Sequence, residues 1–273
     1  MAKRGRPRGS GTAKASTASV QTLDRALSLL VTLAGADGLT LTALGERTGL
    51  APSSLHRLLA SLSAHGFVAA DEVDQTWAIG VEAFRVGQAF LRRAKAVSVA
   101  RPVMRDLMEE TGETANLGLI EGGEVVFVAQ VESAEPIRAF FRAGERRAAH
   151  ASGIGKALIA EWPAERVARL VRSRGLERYT ANTLTSEAAL MSALAEIRAR
   201  GFAIDDEERN AGMRCIAAAI FDENGEAAAG LSISGPSARL DAARLAALGP
   251  RVAAAAARIT AAIGGVVPRR GSD

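Results

Sequence analysis

The chain has 273 residues, 48% hydrophobic and 23% charged, which is ordinary globular composition and enough for one large domain or two modest ones. A single cysteine, Cys215, excludes an internal disulfide and a cysteine-based metal cage, and fits a reducing compartment. No stretch approaches the roughly 20 unbroken apolar residues of a membrane helix. The basic N-terminus runs into Gly, Ser, Thr and Ala rather than an apolar signal core, so a cytoplasmic protein with no membrane partner is expected.

The net charge is +4, and it is unevenly placed. Residues 1–19 carry Lys3, Arg4, Arg6, Arg8 and Lys14 and no acid, so the rest of the chain nets −1. Such a tail cannot build a core and is suited to meet a polyanion. Its Arg4-Gly5-Arg6-Pro7 resembles the core of an AT-hook, in which two arginines on an extended backbone lie along a narrow A·T-rich minor groove. A plain solvated tail is the competing reading.

In chain order, Val20, Leu23, Leu27, Leu30 and Val31 recur at helical spacing and predict a helix over about 20–34. A short second helix over about 43–48 ends at Gly49, and a third starts at Pro52 and runs to about residue 64. Two β-like pieces, 67–70 and 76–79, flank the polar turn 71–75. Three helices and a hairpin over residues 20–80 predict a winged helix-turn-helix. The third helix would then present Ser53, Ser54, His56 and Arg57 to the major groove, as phosphate and base-edge donors and acceptors. A merely solvated helix face is the alternative. This region holds three arginines against six acids, so attraction to DNA must come from the tail, from oriented helix ends and from doubling in a dimer.

Residues 81–97 read as a basic linker helix with apolar positions on more than one side, which calls for a partner subunit. Residues 98–273 read as a second domain. It opens with a helix over 98–111, followed by a hairpin of 114–120 with 125–131 and a strand at 137–141. Helices at 154–160, 165–174 and 187–200 precede a short strand at 202–204, a hairpin of 216–221 with 227–233, and a last helix over about 239–263. Antiparallel hairpins surrounded by helices make the fold class α+β.

Several segments, in this order and spacing, resemble the IclR family of bacterial transcriptional regulators. They are Leu58-Leu59-Ala60-Ser61-Leu62, Gly66-Phe67-Val68, Ile79-Gly80, His150 to Ala157, Asp205-Asp206-Glu207-Glu208, Arg214 to Ala218, and Leu231 to Pro236. Ala219 stands where the family commonly has Pro, and Trp77 where Tyr is frequent. The resemblance implies a GAF-like effector domain, homodimers or dimers of dimers, a double-stranded operator and no cofactor. It is strongest to the glyoxylate-sensing repressors, which implies an effector site of Ser152, Gly153, Ile154, Asp205, Cys215, Ser232 and Ser234. Those residues are also suggestive by themselves. Glycines at a helix start allow close approach to an anion, and Ser232 and Ser234 share one strand face. A small polar pocket suits a two- to four-carbon oxo acid better than an aromatic acid.

Rival readings remain. Cys215 could be a nucleophile with His150 as its base. The acidic run 205–208 could hold a metal with His150, or be a solvated loop. The same family could also supply an activator with a different effector.

Overall fold

The computed structural model describes residues 20–93 and 95–268; Arg4 and Arg6, the proposed hook residues, lie outside them. Two compact units divide the chain, one ending at Ala89 and the other starting at Phe90.

The first unit opens with α1 (Gln21–Ala34), then β1 (Leu39–Thr40), α2 (Leu41–Thr48) and α3 (Pro52–Ala64). Thr40 caps α2 by accepting from the Ala43 amide at 3.3 Å. Gly49 closes the helix with φ +67°, a conformation that favours glycine. Pro52 occupies the first turn of α3, where no amide hydrogen is needed. The wing is β2 (Val68–Asp71) paired antiparallel with β3 (Thr76–Ile79), and β3 also pairs with β1. Leu29, Leu33, Leu44, Leu55 and Leu59, with Val68, form the small core; on α1 the buried face is Leu29 and Leu33, whereas Leu23, Leu27 and Val31 of the expected spacing stay exposed. The helix α4 (Val81–Arg93) follows the wing.

The second unit begins with α5 (Lys95–Thr111), then β4 (Thr114–Glu121), β5 (Glu124–Val131) and β6 (Arg146–Ala148). A 3-10 turn (Ala149–Ala151) leads into α6 (Gly153–Ile159). Next come α7 (Ala164–Arg174), α8 (Glu187–Arg200), β7 (Ala203–Asp206), β8 (Met213–Phe221), β9 (Ala227–Pro236) and α9 (Ala242–Ala262). The strands form one antiparallel sheet in the order β6-β5-β4-β9-β8-β7. The period-2 alternation of strands sorts its two faces. Ile216, Ala218 and Ile220 of β8, with Leu231 and Ile233 of β9, pack with α5 and α9. Ala217, Ala219 and Phe221 pack on the other side with α6, α7 and α8.

Glycines let α6 lie directly on the sheet. A Cβ at Gly230 would meet the Ile154 side chain at 2.6 Å, and one at Gly118 would come within 3.3 Å of the same side chain. At Gly155 it would strike the Ala149 carbonyl at 2.2 Å.

Three expectations are corrected. Residues 137–141 are not a strand. Carbonyls there are engaged by side chains instead of a ladder: Ala139 accepts from the Thr114 hydroxyl at 3.0 Å and Ile137 from Arg239 at 2.9 Å. Phe141 stacks on Phe127 with centroids 4.5 Å apart. On the edge away from β4, β5 pairs with β6, whose Arg-Arg-Ala sequence carries no apolar alternation. The helix expected over 98–111 starts at Lys95, because Ala96 and Ala100 already join the core with Met104 and Leu107.

A buried carboxylate ties this unit together. Glu113 is fully buried and receives two bonds from Arg239, at 2.8 and 2.7 Å. Removing the guanidinium leaves a desolvated charge with no counter-ion. Arg239→Ala is therefore expected to destabilise the second unit by about 3–5 kcal/mol in denaturant titration. A loss of a few tenths would show that Glu113 finds water.

Candidate functional site

On the first unit, Ser53, His56 and Arg57 are exposed at the start of α3 and Ser54 is half-buried. Helical spacing turns Leu55 and Leu59 into the core, so these polar positions face outward. Arg57 and Ser54 line a groove of about 260 Å3 with Thr22 and Arg25 of α1. Arg25 was not among the residues singled out in the sequence. It becomes relevant only because α1 and α3 pack side by side, giving one polar surface two guanidinium groups. Val20, which precedes α1, and Leu23, Leu27 and Val31 on it are all exposed, apart from that core. Val81 and Phe84 of α4 are exposed too.

On the second unit, the sheet and α6 bring the proposed effector residues to one small cavity. Ser152, Gly153, Ile154, Asp205, Cys215, Ser232 and Ser234 all line it. Antiparallel register explains the convergence: Asp205 of β7 stands opposite Cys215 of β8, which stands opposite Ser234 of β9. Gly153 completes the wall, since a Cβ there would lie 3.3 Å from that of Cys215. The cavity is about 10 Å3, room for about one water.

Four lining residues were missed: Phe127, Phe141, Arg147 and Ala151. Arg147 sits on the unforeseen strand β6, mostly buried, with Nε donating to Glu145 at 2.8 Å and its guanidinium 4.6 Å from the Phe141 ring centre. It gives the cavity a positive charge that no periodicity announces. Ser234 is held by a chain of hydrogen bonds. Gln130 donates to Asn116 at 2.9 Å, Asn116 to the Ser234 hydroxyl at 3.2 Å, and that hydroxyl to the Cys215 sulfur at 3.0 Å.

The glycine turn has a double use. Ser152 caps α6 by accepting from the Gly155 amide at 3.4 Å. The close contacts at Gly153 and Gly155 make packing a sufficient reason for both glycines.

Each member of the acidic run has its own partner. Lys156, buried on α6, pairs with Glu208 and donates to the Ile204 carbonyl at 2.6 Å. Asp206 accepts from Arg214 at 2.6 Å, and Glu207 from the Gly212 amide at 2.7 Å. Asp205 accepts from the Glu208 amide at 2.8 Å. No cluster of three metal-binding side chains occurs among the described residues.

Burial governs protonation here. It pushes the Cys215 thiol up to about 12, so no thiolate is present near neutral pH. His150 donates from Nε2 to the Glu177 carbonyl at 3.0 Å and lines a different cavity, so no Cys–His couple is assembled. The Asp205 carboxyl is pushed up to about 6 by burial, against the pull of Lys156 and with the push of Glu208.

A helix-turn-helix unit joined to a separate α+β unit is the build of a two-part transcriptional regulator. Residues 22–72 match the IclR helix-turn-helix domain, and residues 88–261 match the bacterial transcriptional regulator IclR C-terminal domain. The chain is 50% identical to the HTH-type transcriptional regulator BhcR of Paracoccus denitrificans (strain Pd 1222) over 270 residues, 98% of this chain and 96% of that protein. It is 41% identical to the transcriptional repressor IclR of Escherichia coli (strain K12), covering 97% of each. The crystal structure of the Thermotoga maritima IclR superposes with a TM-score of 0.75 at 28% identity, over 90% of this chain and 100% of that one. The chain belongs to the IclR family of bacterial transcriptional regulators, and its relatives are regulators rather than enzymes.

Asp205 sets a pH signature. Its folded value lies above the ordinary 3.8, so between about pH 4 and 6 the folded state holds a proton that the unfolded state has lost. Stability from this group is therefore full at low pH and declines as pH rises to about 6. Asp205→Asn keeps the acceptor for the Glu208 amide and removes the buried charge. Expected at pH 7 is a gain of about 1–3 kcal/mol and a flatter stability profile over that window. A variant less stable than wild type at pH 7 would contradict it.

Proposed function

We propose that the protein is a repressor that holds operator DNA as a homodimer or dimer of dimers, and releases it when a small 2-oxo acid, glyoxylate first among them, enters the cavity beneath α6. The observation that carries this reading is the cavity's chemistry. One guanidinium, three serine hydroxyls and the start of α6 line a space that holds about one water and must widen to admit a ligand of several atoms. Arg147 would pair with the carboxylate, joined by Ser232 and Ser234. Asp205 would accept from the hydrated aldehyde, with Cys215 as a wall. A small oxo acid needs only a modest parting of the walls, whereas an aromatic acid needs a much larger one. Phe141, on the segment 137–141 that carries no strand ladder, would be the wall that shifts. A ligand favouring the shifted form would change the population of DNA-competent dimers. In that dimer the exposed apolar stripes on α1 and α4 would find cover. Operator contact would run through Ser53, Ser54, His56 and Arg57, with Arg25 beside them and Arg4 and Arg6 in the adjacent minor groove. The site of action would be the cytoplasm.

Two measurements test this. Arg57→Ala should weaken operator binding by about 1–3 kcal/mol with an unchanged melting profile. Normal operator binding by this variant would mean that α3 meets DNA through another face. Ser234→Ala removes one hydroxyl from a charged ligand and should weaken glyoxylate binding about 10- to 150-fold in calorimetry while operator binding survives. Tight binding of an aromatic acid at this cavity, with no heat from glyoxylate or pyruvate, would overturn the ligand class.

A further inference from the structure

A second cavity lies in the α+β unit. It measures about 140 Å3, close to the roughly 150 Å3 of an apolar core cavity that holds benzene. Its apolar wall is Leu170 and Val171 of α7, Leu176, and Leu190 of α8. The β4–β5 turn closes one side, since a Cβ at Gly123 would meet Leu170 at 2.2 Å.

The rim decides what polar group a ligand would carry. Both rim acids already have donors: Glu124 accepts from Arg146 at 3.4 Å and Glu177 from the Tyr179 hydroxyl at 2.9 Å. His150 is kept neutral by burial and donates to the Glu177 carbonyl. Arg174, exposed on the last turn of α7, has no ion pair among the described residues. A guanidinium without an ion pair among the described residues, beside a half-polar cavity with one apolar wall, suits a carboxylate on a compact apolar body.

The two cavities share one stretch of backbone. Ala148 and His150 face this cavity, whereas Arg147, Ala151 and Ser152 face the other. A body that displaces His150 therefore acts on the residues that carry the Arg147 guanidinium and the Ser152 cap.

We propose that this second cavity binds a small monocarboxylate with an apolar body about the size of one ring, its carboxylate on Arg174, and that its occupancy is coupled to the first cavity through residues 147–152. The binding half stands on this cavity alone, and the coupling half rests on the effector reading above.

Benzoate is the probe, titrated into the full-length protein by calorimetry. Arg174→Gln should weaken benzoate about tenfold or more, by loss of a charged hydrogen-bond partner. Val171→Trp should fill the hole and abolish binding, with its thermal melt confirming that the variant is folded. Ser234→Ala should leave benzoate affinity unchanged. Saturating benzoate should shift the glyoxylate Kd by about fivefold or more. Absence of benzoate binding at millimolar concentration would overturn the site. So would loss of benzoate binding in Ser234→Ala with wild-type affinity in Arg174→Gln, which would place benzoate in the first cavity. An unchanged glyoxylate Kd in the presence of bound benzoate would overturn the coupling. Failure of glyoxylate to bind at all would sink the effector reading and the coupling together, while the benzoate variants still decide the site.

Discussion

The chemistry of the α+β unit depends on how closely α6 approaches the sheet. Every residue of that helix is buried, and glycines at 118, 153 and 230 remove the side chains that would hold it off. The close approach brings the Ser152 end of α6 against β7, β8 and β9, and it buries Lys156 beneath them. A buried ammonium is tolerated only when paired, which fixes Glu208 and, through the Glu208 amide, Asp205. One packing constraint therefore positions both the acid that faces the cavity and the ion pair behind it.

Electrostatically, the region alternates in sign: Arg147 and Asp205 at the cavity, Lys156 and Glu208 behind it. Asp205 experiences all three neighbours in a desolvated setting, and burial outweighs the attraction of the cations. Cys215, in the same surroundings, is held as a neutral thiol and accepts a hydrogen bond from Ser234. The cavity holds charges of both signs and no thiol activated for covalent chemistry.

The sheet also separates tasks by parity. On β9, Leu231 and Ile233 belong to the core with α5 and α9, while Ser232 and Ser234 point to the opposite face and the cavity. A one-residue slip would exchange them and bury two hydroxyls in an aliphatic layer. The first unit follows the same economy with helical spacing: leucines of α3 hold it to α1 and α2, leaving Ser53, His56 and Arg57 free to face outward.

Much of this was legible in the sequence, because period, turn residues and caps are local. Leucine spacing in 20–64, Pro52 at a helix start, and glycines between alternating segments determine the helix-turn-helix, the wing and both long hairpins. The candidate cavity residues were legible mainly through a family resemblance, with spacing adding only that Ser232 and Ser234 share a strand face. What only the tertiary structure decided is whatever depends on non-local neighbours. Residues 137–141 look like a strand, yet Thr114 and Arg239 occupy their carbonyls, while Arg146–Ala148 pairs with β5 without any apolar signal. Arg147 and Arg25 read as ordinary surface charges until chain segments far apart in sequence enclose one in a cavity and set the other beside Arg57. Local pattern specifies which face of an element is buried; what that face meets, and hence the charge and size of a site, is set by packing between elements that the sequence keeps apart.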